Sequence, residues 1–393
     1  MQYFKKIIRS IYDVIPYKIK SKLRNFYNSH SKILTIDKSG NRNALIIYIK
    51  QPFLSDNNVI NHCNVIESLS IRDVLVEMGY AIDVIDYRYK GTINYSKYDL
   101  IFGFGDLFAQ SFLSKNLKKN VKRICYSTGT HPESWNSGEA NRLKYFNNKF
   151  RSKLVPLRLW EWKMSTFAFT NSDGVIQTGN DWTKSTFNHL DIDKFFVVPV
   201  PSITQNNNNH ENKVTGKDFI FFSGAGAVYK GLDLVIDAFK SMNQGVNLYI
   251  YGPFDQENFF MDIYGKIIRD SQNIFYNGVI DPMSDQFNEI VSKCSYTILP
   301  SCGESGASSV ITTMHKGLIP VVTKNSSIDL FDFGVLIDSL SIESVKESIE
   351  VAINLSDNEI LRQRRIIIDH INKNHSELSY KIKLRESLNK ILG

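Results

Sequence analysis

Beyond residue 42 the apolar positions fall into short unbroken runs that alternate with stripes at helical spacing. NALIIYI (43–49) has no polar break, the pattern of a strand buried on both faces. VIESLSIRDVLVEMG (65–79) spreads its apolar residues around one face of a helix, and AIDVIDY (81–87) returns to a strand pattern. DLIFGFG (99–105), RICYSTG (123–129) and DGVIQTG (173–179) are further strand-like runs, each closing on glycine. The aromatic stretch from Leu157 to Phe169 reads as helical. Strands alternating with helices predict a parallel sheet wound with right-handed crossovers, a Rossmann-like half over residues 40–202.

Near Val200 the pattern breaks. Pro199 and Pro201 precede an asparagine tract (206–209) and a polar stretch to Lys217, which cannot bury enough apolar surface to order itself. Residues 203–217 are expected to link two domains. Beyond them DFIFFSG, VNLYIYG, NIFYNGVI, SYTILPS and IPVVT supply five more strand-like runs separated by helical segments, a second α/β unit over 218–360. Helices over 361–393 are expected to cross back toward the first domain. Residues 1–28 stand apart: Phe4, Ile7, Ile8, Ile11, Tyr12 and Ile15 line one helical face, Lys5, Lys6 and Arg9 another, and Pro16 ends the run. Such a basic amphipathic segment packs on its own domain or lies on an anionic membrane surface.

Composition narrows the partners. The formal charge is +7, with basic residues spread along the chain rather than gathered into a nucleic-acid motif, so no nucleic-acid partner is expected. The four cysteines, Cys63, Cys125, Cys294 and Cys302, lie far apart and form no CxxC pair, so neither a zinc knuckle nor a disulfide framework is indicated. No apolar run reaches the roughly 20 residues of a membrane span. These features predict a cytoplasmic protein, peripheral on the inner membrane face if residues 1–28 lie on lipid rather than on their own domain.

The segment PSCGESGASSVITTMHKGLIPVVT (300–323) carries the most chemistry. A strand ends in Pro-Ser, a loop of small residues follows, and a helix is expected to begin near Ala307. Small side chains let an anionic ligand approach backbone N–H groups, so Ser305, Gly306, Ala307 and Ser308 are candidate ligand-binding positions. Glu304, the one carboxylate in the loop, can accept hydrogen bonds from ligand hydroxyls. Upstream, FFSGAGAVYKGLDLVIDAF (221–239) places Gly224, Gly226, Lys230 and Gly231 before a helix marked by Leu232, Val235, Ile236 and Phe239.

These segments resemble the donor-site signature of glycosyltransferase family 4: a glycine loop with Lys-Gly, a strand closing on Gly278 and Val279, then Glu304 ahead of the Pro-Val-Val strand. The resemblance covers roughly residues 218–345. It implies a GT-B fold, two Rossmann-like domains facing across a cleft, with a nucleotide diphosphate sugar held by the second. It further implies that Lys230 faces the diphosphate, that Gly278 and Val279 frame the nucleobase, and that Glu304 orients the sugar. The turn before the Pro-Val-Val strand carries one extra residue, Ile319, ahead of Pro320, and two family positions differ. Thr312 stands where a second glutamate holds the ribose, and Ala225 stands where an arginine precedes the lysine by five residues. In the first domain His62 and Asn64 resemble an acceptor-domain opening, and His131, in STGTHPESW, occupies a loop where related enzymes carry a cleft histidine.

The implied activity is transfer of a sugar, with retention, from a nucleotide sugar to a glycan or lipid-linked acceptor in surface polysaccharide assembly. No cofactor beyond that co-substrate and no metal is expected. Asp191 and Asp193 form an Asp-x-Asp, but in a polar turn ahead of a strand. The rival readings are a GT-B sugar-nucleotide epimerase and an inactive GT-B subunit that binds a partner enzyme.

Overall fold

The unbroken run at 43–49 becomes β2 of a seven-stranded sheet, and its side chains from Ala44 to Tyr48 are buried. The computed structural model describes residues 29–30, 32–54, 62–160, 162–203, 214–242 and 245–393. The amphipathic stripe of residues 1–28 and most of the expected linker lie outside these residues.

The first sheet comprises β1 (Leu34–Asp37), β2 (Arg42–Tyr48), β3 (Tyr80–Asp86), β4 (Leu100–Gly103), β5 (Lys122–Ser127), β6 (Gly174–Thr178) and β7 (Phe195–Val198), in the order β1-β3-β2-β4-β5-β6-β7. All pairings are parallel except that of β1, which runs antiparallel along the edge of β3. The second sheet comprises β8 (Asp218–Phe222), β9 (Leu248–Tyr251), β10 (Ile274–Tyr276), β11 (Cys294–Leu299), β12 (Ile319–Thr323) and β13 (Val335–Ile337), in the order β10-β9-β8-β11-β12-β13 and parallel throughout. Apolar clusters cover both faces of each sheet, as parallel sheets require. The expected α/β class holds: this is the GT-B arrangement of two Rossmann-like domains.

One expected element is absent. The described residues between 157 and 164 form no helix, and regular structure resumes at the helix Ser165–Asn171. Pro156 removes a backbone donor there, and the N–H groups of Leu157, Arg158 and Trp160 bond instead to side chains of the preceding helix, Pro132–Phe150. The result is a strap, residues 151–160, held by side chains.

The domains are tied in three places. The helix Pro132–Phe150 places Leu143 and Phe146 in the core of the second domain, and its Arg142 meets Asp233 there. The helix Asp357–Asn374 packs in that same core through Ile360, Ile367 and Ile371. The chain then turns at His375, and the helix Glu377–Leu392 buries Tyr380, Leu384, Leu388 and Ile391 in the core of the first domain. At this crossing His375 Nδ1 lies 2.8 Å from the Val200 carbonyl, and Ser202 N–H donates to the His375 carbonyl at 2.7 Å. The two strands of chain that join the domains are thereby bonded to each other.

Candidate functional site

Ligands of open α/β sheets bind beyond the carboxyl ends of the strands, and here the two sheets present those ends to a shared cavity of about 480 Å³. From the first domain the walls come from His62, Asn64 and Glu67 on the helix Cys63–Glu77 and its cap, from Thr128 and Thr178 after β5 and on β6, and from Trp135 and Arg158. From the second come Ser223, Gly224 and Ala225 after β8, Lys230, the pair Val279 and Ile280, and the loop from Glu304 to Ser309 with Thr312.

Lys230 and Glu304, 74 positions apart in sequence, are both buried and form an ion pair through Lys230 Nζ and Glu304 Oε1. Lys230 ends the glycine loop that β8 leads into, directly before Gly231, the N-cap of the helix Leu232–Ser241. Glu304 follows β11, and Ser301 Oγ donates to the same Oε1 at 2.7 Å. Among the described residues Glu304 Oε2 has no hydrogen bond, so it remains open to a ligand hydroxyl. Burial pulls the Lys230 pKa down; the Glu304 charge opposes that, and the like charge of Arg158 adds to it.

Several expected contacts differ in detail. The backbone N–H of Glu304 donates to Asn325 O at 2.8 Å, and that of Ala307 to Ser326 O at 3.1 Å, so these two donors of the small-residue loop are spent internally. Gly226 lies off the cavity lining, and its N–H is taken by the Glu257 carboxylate at 2.6 Å, which also binds Ala227 N–H. Gly231 and Gly278 also sit off the lining, while Val279 lines the cavity and is exposed. Thr312 lines the cavity at the foot of the short helix Ser308–Met314, but its hydroxyl donates to Ser308 O at 2.8 Å, leaving only lone pairs for a ligand.

In the first domain His62 Nδ1 accepts from Asn64 N–H and caps the helix Cys63–Glu77, and both residues face the cavity. The walls around His62, together with the Lys230 charge, lower its pKa, which marks it as a neutral ring across the cleft from the lysine. His131 is placed differently. It is buried off the cavity lining, among Phe169, Phe187 and His189, because it caps the helix Pro132–Phe150. Burial first, and then the charge of His189, push its pKa down to about 4. His131, Glu133 and His189 hold their ligand atoms within 4.8 Å of one another. His131 Nδ1 accepts from Glu133 N–H at 3.4 Å, and among the described residues the buried Nε2 has no hydrogen-bond partner.

Two cavity residues carry no signal in the sequence. Glu67, 2% exposed, accepts from Tyr48 Oη at 2.5 Å beside the pair Tyr126 and Tyr380, whose hydroxyls lie 2.8 Å apart. Burial raises its pKa to about 7 against the pull of hydrogen bonds from Tyr48 and Tyr126, so its carboxyl exchanges a proton near neutrality. Arg158 reaches the cavity from the strap, and its Nη1 donates to Ala225 O at 2.9 Å.

Residues 204–367, which hold the glycine loop, Lys230 and Glu304, match the family model of glycosyl transferases group 1. This part of the chain is similar to group 1 glycosyl transferases. No curated protein matches the sequence. Solved structures resemble the whole two-domain fold at low identity. TarM of S. aureus, solved with fondaparinux, alpha-GlcNAc-glycerol and UDP, superposes with a TM-score of 0.54 at 17% identity, over 76% of this chain and 56% of its own. The chain thus spans little more than half the length of TarM. HepE of Anabaena, in complex with UDP-glucose, superposes with a TM-score of 0.59 at 11% identity, over 89% of this chain and 100% of its own. WaaG, a glycosyltransferase involved in lipopolysaccharide biosynthesis, gives 0.56 at 12% identity, over 89% and 99%. The stretch that matches the family model thus contributes most of the second Rossmann-like domain, and the first domain closes the cavity above it.

Proposed function

We propose that the protein is a glycosyltransferase that moves a hexosyl group from a nucleotide diphosphate sugar to a glycan or lipid-linked acceptor, with retention of configuration. The observation that carries this reading is the Lys230–Glu304 pair on the group 1 side of an interdomain cavity. The leaving diphosphate gains charge in the transition state, and a preformed, poorly solvated cation stabilises that charge most where water is excluded. Lys230 supplies the cation. When the diphosphate draws Lys230 toward itself, Glu304 is released to accept hydrogen bonds from the sugar hydroxyls. Ser305, Gly306 and Ser308 line the same floor and leave room for a sugar ring, while Val279 flanks the nucleobase.

The acceptor enters from the first domain, where His62, Asn64 and Glu67 form the opposite wall. Two of the structures named above were solved with UDP or UDP-glucose and the third is of a glycosyltransferase involved in lipopolysaccharide biosynthesis, which supports a role in surface polysaccharide synthesis for this chain. No helix among the described residues is long and apolar enough to cross a membrane. We place the protein in the cytoplasm at the inner membrane face, where residues 1–28 supply a basic, amphipathic contact with anionic lipid.

The test is product analysis with UDP-, GDP-, ADP- and dTDP-sugars, with and without a lipid-linked glycan acceptor. Transfer predicts nucleotide diphosphate release that depends on the acceptor. Conversion of one nucleotide sugar into another without acceptor would make the protein an epimerase, and binding without turnover would make it an inactive subunit.

A further inference from the structure

We infer that Arg158, carried by the first domain, is the second cation of the diphosphate site, so that donor binding fastens the strap of one domain onto the glycine loop of the other. This rests on the proposed nucleotide-sugar reading and adds to it a residue from the domain expected to hold only the acceptor.

The strap is built to present this side chain. Glu139 accepts the N–H of Leu157 at 2.7 Å and of Arg158 at 3.0 Å, and Trp135 Nε1 donates to Arg158 O at 2.5 Å. Both partners belong to the helix Pro132–Phe150, so the backbone at Arg158 is fixed from two sides. The side chain then crosses the domain gap. Its guanidinium carbon stands 5.1 Å from the Trp135 ring of the first domain and 5.2 Å from the Tyr229 ring of the second. The stem passes over Gly226, where an added Cβ would sit 2.6 Å from Arg158 Cδ and φ is +101°; only glycine leaves that path open.

No carboxylate among the described residues forms an ion pair with the charge at the end of this path. Among the described residues the buried Nε of Arg158 has no hydrogen-bond partner. The one bond of its guanidinium goes to the Ala225 carbonyl, a neutral acceptor on the cavity wall. Glu257 lies near enough to feel the charge, but its carboxylate is bound to the N–H groups of Gly226 and Ala227. Lys230, by contrast, is already neutralised by Glu304. A diphosphate entering this cavity therefore meets one paired lysine and one unpaired guanidinium, whose planar fork suits phosphate oxygens.

The rival account is that Arg158 only tethers the strap. Calorimetric titration of the full-length protein with UDP, GDP, ADP and dTDP separates the two, the tightest binder being compared with its own nucleoside. Arg158→Met keeps an apolar stem between Trp135 and Tyr229 and removes the charge. It should weaken the nucleotide diphosphate at least about tenfold and leave the nucleoside unchanged. Ala225 is exposed at the cavity wall, so adding Ala225→Arg to Arg158→Met returns a guanidinium from the opposite domain and should restore affinity to within about threefold. If Arg158→Met binds the diphosphate as well as wild type while Lys230→Ala does not, the inference about Arg158 fails and the nucleotide-sugar reading stands. Wild-type protein that binds none of the four nucleotides overturns both. Should Arg158→Met not fold, Arg158→Lys decides: it keeps charge without the fork, and a diphosphate affinity equal to wild type with a lowered melting temperature overturns the inference.

Discussion

Arg142 and Asp233 face each other across the domain boundary, with Arg142 Nη2 donating to the two carboxylate oxygens at 2.6 and 2.8 Å and both side chains 3% exposed. Arg142 Nε also approaches the Val228 carbonyl at 3.4 Å. Burial raises the Asp233 pKa, and the arginine holds it back. Removing one partner strands the other in a dry interface, which costs roughly 3 to 5 kcal/mol, whereas replacing both with apolar side chains of similar volume is often near neutral. Arg142→Ala and Asp233→Ala should each lower the denaturation midpoint strongly, and Arg142→Met with Asp233→Leu should recover most of the loss. Additive single and double effects would mean that the two residues do not act as a pair.

The strap is also sensitive to steric change. An added Cβ at Gly129 would lie 1.8 Å from Trp160 Cζ3, a clash that only displacement of the indole relieves. Gly129→Ala should therefore cost about 1 to 3 kcal/mol, as overpacking does, and shift tryptophan fluorescence to the red as Trp160 leaves its slot beside Trp135 and Trp162. An unchanged emission maximum would mean that the strap does not depend on this contact. Because Arg158 rides on the same strap, Gly129→Ala should also weaken nucleotide diphosphate binding without touching the cavity floor.

Glu67 gives a pH signature. Its folded pKa is about 7 against an ordinary value of 4.5. Below pH 4.5 the carboxyl is neutral in both folded and unfolded chains. Between 4.5 and 7 the unfolded chain ionises while the folded protein keeps its proton, so stability falls as pH rises, by about 1.4 kcal/mol for each pH unit crossed, and levels off above 7. Glu67→Gln removes this loss and can still accept from Tyr48. Its melting temperature relative to wild type should therefore climb between pH 5 and pH 8; parallel curves would show that Glu67 is not the group being titrated.

The strands in the middle of each sheet were legible because burial on both faces forces continuous apolar runs such as NALIIYI and IPVVT. The short edge strands β1 and β13 were not, since Leu34–Asp37 and Val335–Ile337 pair on one side only and carry little pattern of their own. Lys230 and Glu304 could be singled out because each sits at the exit of a strong strand, where glycines and serines mark a slim loop. Arg158 and Glu67 could not. Arg158 lies in an aperiodic segment whose path is set by the side chains of Glu139, Trp135 and Asn136, partners visible only in three dimensions. Glu67 sits one turn into an ordinary helix, and only the tyrosines that β2, β5 and the last helix bring around it make it unusual. His131 reads like a cleft residue from its loop, but the helix cap turns its ring into the core.

Glu304 separates a structural from a functional role most sharply, because it both pairs with Lys230 and faces the cavity. Glu304→Gln keeps the shape and can still accept from Ser301, but it no longer neutralises the lysine. In a purely structural pair, the loss leaves a buried ammonium without its counter-ion, so the protein should melt lower and turnover should follow the folded fraction. In the proposed site, the freed ammonium is what a diphosphate seeks, so affinity for the bare nucleotide diphosphate should hold or tighten. The sugar meanwhile loses a charged acceptor that strengthens as its ring develops charge. Turnover should then fall at least about tenfold, equivalent to roughly 1.4 kcal/mol of transition-state stabilisation, with most of the loss in kcat rather than KM. The two outcomes separate on turnover per folded molecule, which holds in the structural case and falls in the functional one, so one progress curve with one calorimetric series decides between them. A Glu304→Gln enzyme that transfers sugar at the wild-type rate, bound to nucleotide no more tightly than before, would leave the pair as a structural tie between two loops.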